Sequence, residues 1–237
     1  MRESKIAILS TRPLSARTIN VVADKVNVDE VSFIQTKNII DASVAKRINE
    51  IAQQKAVIVF TSMNAAEAVI HQLKKNQLQP DWGFYCLGGT TRKIIADYFG
   101  ANKISSVANN ANDLAEKIIA DKQTSVIFFC GNIRREELPI KFKAHHITAE
   151  EIVVYETIET AQFIKKNYDG ILFFSPSAVN SFFSVNQLPD QTVVFAIGNT
   201  TAFSIKEFCS NPVVISGQPD KESLLQTAIE YFEQIKI

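Results

Sequence analysis

Thr61, Ser62, Met63 and Asn64 close one apolar, strand-like run of this chain, and Ser175, Pro176, Ser177 and Asn180 stand at the end of another. Each set opens a helix-like pattern, so its short polar side chains and amides gather where a helix begins. Further along, a second apolar run ends in a Gly-x-x-Thr turn. These turns are Gly88-Gly89-Thr90-Thr91 and Gly198-Asn199-Thr200-Thr201. The chemistry open to such groups is anion capture, because free amides at a helix start point at a ligand and glycine lets the backbone come close. Each hydroxyl can equally cap its own helix, a role worth about 1 kcal/mol. Arg12, in Ser10-Thr11-Arg12-Pro13 just past the first strand-like run, can bind a carboxylate bidentately or stay a surface arginine. Tyr155, in Val153-Val154-Tyr155-Glu156-Thr157, offers a phenol. A phenol is a proton donor at neutral pH, although a strand tyrosine can also serve only to pack.

The strands and helices that carry these residues come as a module used twice. Ser62 to Thr91 spans 29 positions and Ser175 to Thr201 spans 26, a strand-turn-helix unit repeated with small loop differences. Two similar halves imply a cleft between them. Strand-like runs are expected at 5–10, 56–61, 84–87, 103–107, 125–130, 170–175, 192–197 and 212–216. Helices are expected at 14–26, 42–53, 64–75, 91–99, 111–121, 134–143, 178–185, 201–209 and 221–235. That alternation predicts an α/β fold of parallel sheets with helices on both faces, since successive parallel strands need a crossover. Residues 31–37 and 150–157 break the rhythm as extended, alternating runs. Between them lie four strands and after them only three, so the orphan strand 5–10 is expected to join the C-terminal half. The domains are then 1–30 with 161–237, and 38–148, with 31–37 and 149–160 as two crossings that can pair as a ribbon. Tyr155 falls on the second crossing, from which its phenol can reach the cleft.

Composition removes several function classes. The 237 residues are 46% hydrophobic and 21% charged, and no apolar run approaches the ~18 residues of a membrane span. Residues 1–5 lead straight into a short strand pattern followed by Arg12-Pro13, unlike a signal peptide, so the expected location is the cytoplasm. Twenty-five basic and twenty-five acidic residues cancel, leaving no global field for nucleic acid or anionic lipid. Cys86, Cys130 and Cys209 lie far apart in or beside apolar runs and read as buried reduced thiols. His71 and the adjacent His145-His146 have no ligand spacing, and Glu136-Glu137 and Glu150-Glu151 read as solvated charges. No dinucleotide fingerprint, P-loop or Gly-x-Ser-x-Gly is present, so nucleotide, metal and serine-hydrolase chemistry are not expected.

Taken together, these residues resemble the uroporphyrinogen-III synthase family over nearly the whole chain. The likeness runs through Thr11-Arg12-Pro13, Phe60-Thr61-Ser62-x-Asn64-Ala65, Gly88-x-x-Thr91 and Cys130-Gly131-Asn132 ahead of a basic segment. It continues through Val154-Tyr155-Glu156-Thr157, Phe174-Ser175-Pro176-Ser177-Ala178-Val179 and Ile197-Gly198-x-x-Thr201-Ala202. Arg92 departs from it, standing where the second copy has the small Ala202 that the family commonly shows. The resemblance implies two Rossmann or flavodoxin-like domains joined by a two-stranded β ribbon. It implies hydroxymethylbilane, a linear tetrapyrrole octacarboxylate, as substrate, dehydrated, inverted at ring D and cyclised to uroporphyrinogen III without cofactor or metal. Tyr155 is then the expected proton donor. Arg12 and the residues of the two repeated motifs, Thr61, Ser62, Met63, Asn64, Gly88, Thr90, Thr91, Ser175, Pro176, Ser177, Gly198, Thr200 and Thr201, become the expected substrate contacts. A monomer is the simplest expectation, with transient docking of hydroxymethylbilane synthase left open. The rival reading is a non-catalytic two-lobed protein that captures an anionic tetrapyrrole and signals by closing.

Overall fold

Apolar runs at the middle of each half become strands because neither of their faces meets water. The computed structural model describes residues 5–235. Residues 1–4, which carry most of the expectation of a chain start without a leader, and 236–237 lie outside the described residues. In chain order the elements are β1 (Ile6–Ser10), α1 (Ala16–Val22), β2 (Val26–Glu30), β3 (Ile34–Asn38), α2 (Ala42–Ala52), β4 (Ala56–Phe60), α3 (Met63–Lys75), β5 (Trp82–Leu87), α4 (Thr90–Phe99) and β6 (Ile104–Ala108). They continue with α5 (Ala111–Ala120), β7 (Ser125–Gly131), α6 (Glu137–Ala144), β8 (Thr148–Glu159), β9 (Gly170–Phe173), α7 (Pro176–Phe183), β10 (Val193–Ala196), α8 (Asn199–Lys206), β11 (Val213–Ile215) and α9 (Lys221–Ile235).

The chain divides into two units, one made of residues up to Gln35 and from Ile158 onward, the other of Thr36–Thr157. The first unit holds a five-stranded parallel sheet in the order β11-β10-β9-β1-β2. Its central strands are buried on both sides. Leu9, Ile171, Phe173 and Val194 enter one core, while Ile8, Leu172, Val193 and Phe195 enter the other. The second unit holds a six-stranded sheet in the order β3-β8-β7-β4-β5-β6, parallel from β8 to β6. Ile58 and Phe60 of β4 pack under α3 with Trp82, Phe84 and Phe129, and Val59 packs on the opposite face with Leu114 and Phe128. Each such side chain contributes about 1.5–3 kcal/mol, which makes these central strands the most stable part of either unit.

Several expectations need correction. The run 14–26 is not one helix: α1 stops at Val22, and Val26–Glu30 forms β2 beside β1, so the first sheet has five strands instead of the four counted. β2 is an edge strand of sequence VNVDE with only Val26 buried, too polar to announce itself as a strand. The helix expected from 134 begins at Glu137, because Arg134 is drawn aside to Glu151 and Glu136. Glu150 and Glu151 are therefore not simply solvated. Glu150 takes a bidentate pair from Arg47 at 2.6 and 2.8 Å, and Glu151 is held by Arg134. The ribbon strands are β3 and β8, and they run in opposite directions, as the bonds from Thr160 N to Phe33 O and from Ile39 N to Val154 O require. The ribbon does not stand alone, since β8 also pairs with β7 from Thr148 to Tyr155. Cys86 and Cys130 are buried free thiols as expected, pushed up to about 11 by burial, whereas Cys209 is only half-buried. Arg92 lies exposed on α4, while Ala202 is buried in the other copy.

Two stability predictions arise here. Ser181 on α7 is 0% exposed, and its hydroxyl has no hydrogen-bond partner. Ser181→Ala removes an unsatisfied polar group, so thermal unfolding of this variant is expected at higher temperature, by roughly 1 kcal/mol of added stability. A fall in stability would show that the hydroxyl has a partner in solution.

The second prediction concerns pH. Asp29 accepts from Lys166 Nζ at 2.7 Å and from Tyr168 OH at 2.8 Å, and these bonds, Lys166 first, hold its carboxyl below the usual range. Burial, then the bond to Asp29, pushes the Tyr168 phenol up to about 12; burial and Asp121 do the same for Tyr85. A lowered carboxyl stabilises the fold above its unfolded value near ~4, and this is lost as pH falls through the folded value. A raised phenol stabilises below ~10, and this is lost as pH rises toward the folded value. Denaturant midpoints should thus fall below about pH 4 and between about pH 10 and 12. Asp29→Asn should flatten the acid limb, and Tyr85→Phe with Tyr168→Phe the alkaline one.

Candidate functional site

The carboxyl ends of parallel strands are where an open α/β sheet offers ligand contacts, and the sequence-derived residues sit there in each unit. In the second unit β7, β4 and β5 are neighbours, so the loops that follow them lie side by side. Thr61 to Asn64 follow β4, with Thr61 half-buried. Ser62 has taken the capping role, its hydroxyl accepting from Asn64 N at 3.2 Å. Met63 is the first residue of α3. The turn after β5 differs. Gly88 N is bonded to Ala108 O, and Gly89 occupies the N-cap of α4 at φ 65 with no side-chain cap, a backbone conformation that suits glycine. Thr90 is exposed and Thr91 is 6% exposed, so the two threonines of this turn have different work. The first amides of α4 have no side-chain acceptor and are open to an anion.

Tyr155 reaches the same edge of this sheet from β8, which lies next to β7. It is half-buried, rests against the cluster under α3, and lines a groove of about 250 Å³ with Lys37, Asn64, Glu67 and His71. Sequence reasoning missed the last two. The signal was available, since 64, 67 and 71 are spaced to share one face of α3, but nothing marked that face as turned toward Tyr155.

In the first unit β1, β9 and β10 are neighbours, which brings Arg12, Ser175 and Gly198 to one edge. Thr11 anchors the loop, its N–H and hydroxyl both donating to Leu172 O at 3.1 and 2.7 Å. Ser10 Oγ donates to Arg12 O at 2.6 Å. Arg12 is half-buried and makes no ion pair among the described residues. Lys221 at the start of α9 donates to Pro13 O at 2.6 Å, and burial first, then the nearby Arg12 charge, lowers its pKa. Ser175 caps α7 by accepting from Ala178 N at 3.3 Å, Pro176 opens the helix, and Ser177 is half-buried. Gly198 stands at the start of α8 in extended backbone, again with no side-chain cap, followed by exposed Thr200 and 3% exposed Thr201.

Within each unit, then, the serine position is a satisfied cap and the Gly-x-x-Thr turn is an unsatisfied one. Among the described residues no group of three or more His, Cys, Asp and Glu side chains is placed to hold a metal ion, and no helix is long and apolar enough to cross a membrane.

Each unit is thus of the parallel α/β class, with helix-start amides left uncapped by any side chain at the carboxyl edge of its sheet, an arrangement able to hold an anion. The sequence profile described as "Uroporphyrinogen-III synthase HemD" matches residues 22–226. This chain belongs to the uroporphyrinogen-III synthase family. Over 179 residues it is 29% identical to the uroporphyrinogen-III synthase of Saccharomyces cerevisiae, covering 64% of this chain and 65% of the yeast protein, a little under two thirds of that protein's length. Its fold is like that of uroporphyrinogen-III synthetase from Helicobacter pylori, with TM-score 0.68, 19% identity, and coverage of 95% of this chain and 99% of that one. A mutant uroporphyrinogen-III synthase from the extremely thermophilic bacterium Thermus thermophilus gives TM-score 0.68 at 10% identity, with 97% and 99% covered.

Proposed function

We propose that this protein cyclises hydroxymethylbilane to uroporphyrinogen III, a hydro-lyase reaction that releases water and inverts ring D. The observation that carries this reading is the family match across residues 22–226, which spans both units and every motif except the Arg12 loop. In this reading the substrate carboxylates are taken up by amides at the starts of α3, α4, α7 and α8 and by Arg12. Side chains and backbone of Thr61 to Asn64, Gly88 with Thr90 and Thr91, Ser175 to Ser177, and Gly198 with Thr200 and Thr201 supply the contacts. Tyr155 gives its phenolic proton to the departing hydroxyl as the C–O bond breaks, and the azafulvene cation bonds to the substituted carbon of ring D to give a spiro intermediate. The old bond from that carbon to the ring C methylene then breaks and re-forms at the free α-carbon of ring D, and the proton lost from that α-carbon restores the phenol. Unassisted closure yields the non-inverted isomer, so the protein must also hold the bilane in the spiro-forming shape. The same reading has the protein act as a monomer in the cytoplasm and meet hydroxymethylbilane synthase transiently.

The test is to mix the protein with freshly generated hydroxymethylbilane, oxidise the products and separate the uroporphyrin isomers. Isomer III is expected to dominate. Isomer I at the rate of the protein-free control would sink the enzymatic reading in favour of a capture protein.

A further inference from the structure

β7 and β8 run in step for six residues, from Ser125 opposite Thr148 to Cys130 opposite Val153. The register then slips, and Gly131 stands opposite Tyr155. One extra residue on β8 is a bulge, a device that re-aims the side chain that follows. Its effect is visible in the packing. Ile152 and Val154 face the core under α3, as alternation requires, and Tyr155 packs against that same core although it comes directly after Val154. In an unbroken ladder Tyr155 would point with Val153 to the other face of the sheet, away from Asn64, Glu67 and His71.

Two residues hold the bulged strand in place. Gly131 has no Cβ, and the Tyr155 ring lies across the space a Cβ would take, which is 2.5 Å from Cζ and 2.8 Å from the phenolic oxygen. Asn132 then replaces the regular ladder. Its N–H donates to Tyr155 O at 3.1 Å, its Oδ1 accepts from Thr157 N at 2.8 Å and from Ile133 N at 2.9 Å, and its Nδ2 donates to Thr157 O at 3.4 Å. The backbone on both sides of Glu156 is thereby tied to one residue, Tyr155 O by the Asn132 amide and Thr157 by the Asn132 side chain.

We infer that Gly131 and Asn132 are positioning residues that seat the Tyr155 phenol for proton transfer. This rests on the proposed role of Tyr155 as proton donor. The test measures kcat, KM and isomer ratio with hydroxymethylbilane for Gly131→Ala, Asn132→Leu, Asn132→Asp, Tyr155→Phe and the double variant Gly131→Ala with Tyr155→Phe. A methyl group at 131 lies far inside contact distance of the ring, so the phenol must shift by about 1 Å; kcat is expected to fall roughly 10- to 100-fold with KM within about threefold. In the Tyr155→Phe background the same substitution still moves the ring but is expected to cost kcat nothing further, because the hydroxyl whose placement matters is gone. Asn132→Leu should lower kcat, and Asn132→Asp, which keeps the acceptor for Thr157 N, should recover most of it.

Equal losses from Gly131→Ala in both backgrounds, or wild-type kcat in Gly131→Ala, would overturn the inference while leaving Tyr155 in its role. Full turnover by Tyr155→Phe would overturn both. Should Gly131→Ala fail to fold, the contrast between Asn132→Leu and Asn132→Asp decides, and equal kcat for those two variants overturns the seat.

Discussion

Tyr155→Phe is expected to lower turnover of hydroxymethylbilane by about 10²- to 10⁴-fold, the usual range for removing a general acid, equivalent to roughly 3–5 kcal/mol in the barrier. The substitution deletes one oxygen and keeps the ring. Because the Tyr155 ring is what packs against the core under α3, Phe should hold the strand where it is, and melting temperature and KM should stay near wild type. The isomer pattern gives a second handle. In the proposed reading the bilane's shape is set by carboxylate contacts and not by the phenol, so a slowed enzyme is expected still to direct closure toward isomer III. At low enzyme concentration spontaneous closure would overtake it and isomer I would rise; with enzyme in excess over bilane, isomer III should return. Wild-type kcat at wild-type KM in Tyr155→Phe would remove the phenol from the chemistry and point to bound water as the donor.

How much of this was legible in the sequence depended on burial. The strands β4, β5, β7, β9 and β10 are apolar runs with both faces covered, and their pattern alone located them. The helix starts at Ser62 and Ser175 were equally plain, since a hydroxyl ahead of an apolar stripe is a local signal and both serines do cap. β2 was not legible, because an edge strand makes half its contacts with water and its Asn27, Asp29 and Glu30 look like loop. The carboxylates of Glu150 and Glu151 were misjudged for a related reason. Their arginines, Arg47 and Arg134, come from distant points in the chain and only the folded sheet brings them together.

The site divides along the same line. Positions that follow a strand end could be placed in advance, but which amides would remain open could not, because that turns on Gly89 and Gly198 standing where a capping side chain would otherwise be. The placement of Tyr155 was the least legible feature. Strand alternation predicts the opposite face for it, and only the slip between Cys130 and Gly131, a property of the ladder and not of either strand, turns it toward α3.

Arg12→Ala is expected to raise KM for hydroxymethylbilane by about 10- to 100-fold with little change in kcat, the effect of losing one charge-assisted carboxylate contact worth about 1.5–3 kcal/mol. The size follows from what the rest of the site can offer. Net charge is +0, so no global attraction helps a polyanion to bind. In the proposed reading the starts of α3, α4, α7 and α8 would contribute about 0.3–1 kcal/mol each, a total of roughly 1–4, whereas micromolar affinity needs about 8. Amide hydrogen bonds from the two Gly-x-x-Thr turns narrow the gap, and a half-buried guanidinium with no ion pair among the described residues is well suited to close it. Arg12→Lys keeps the charge but not the fork, so an intermediate KM is expected. Salt separates charge from shape: wild-type affinity should weaken as ionic strength rises through the range where the screening length falls from ~30 to ~8 Å, and Arg12→Ala should weaken less steeply. Affinity that holds constant across that range, or a KM unmoved by Arg12→Ala, would mean that the bilane is held by contacts other than charge.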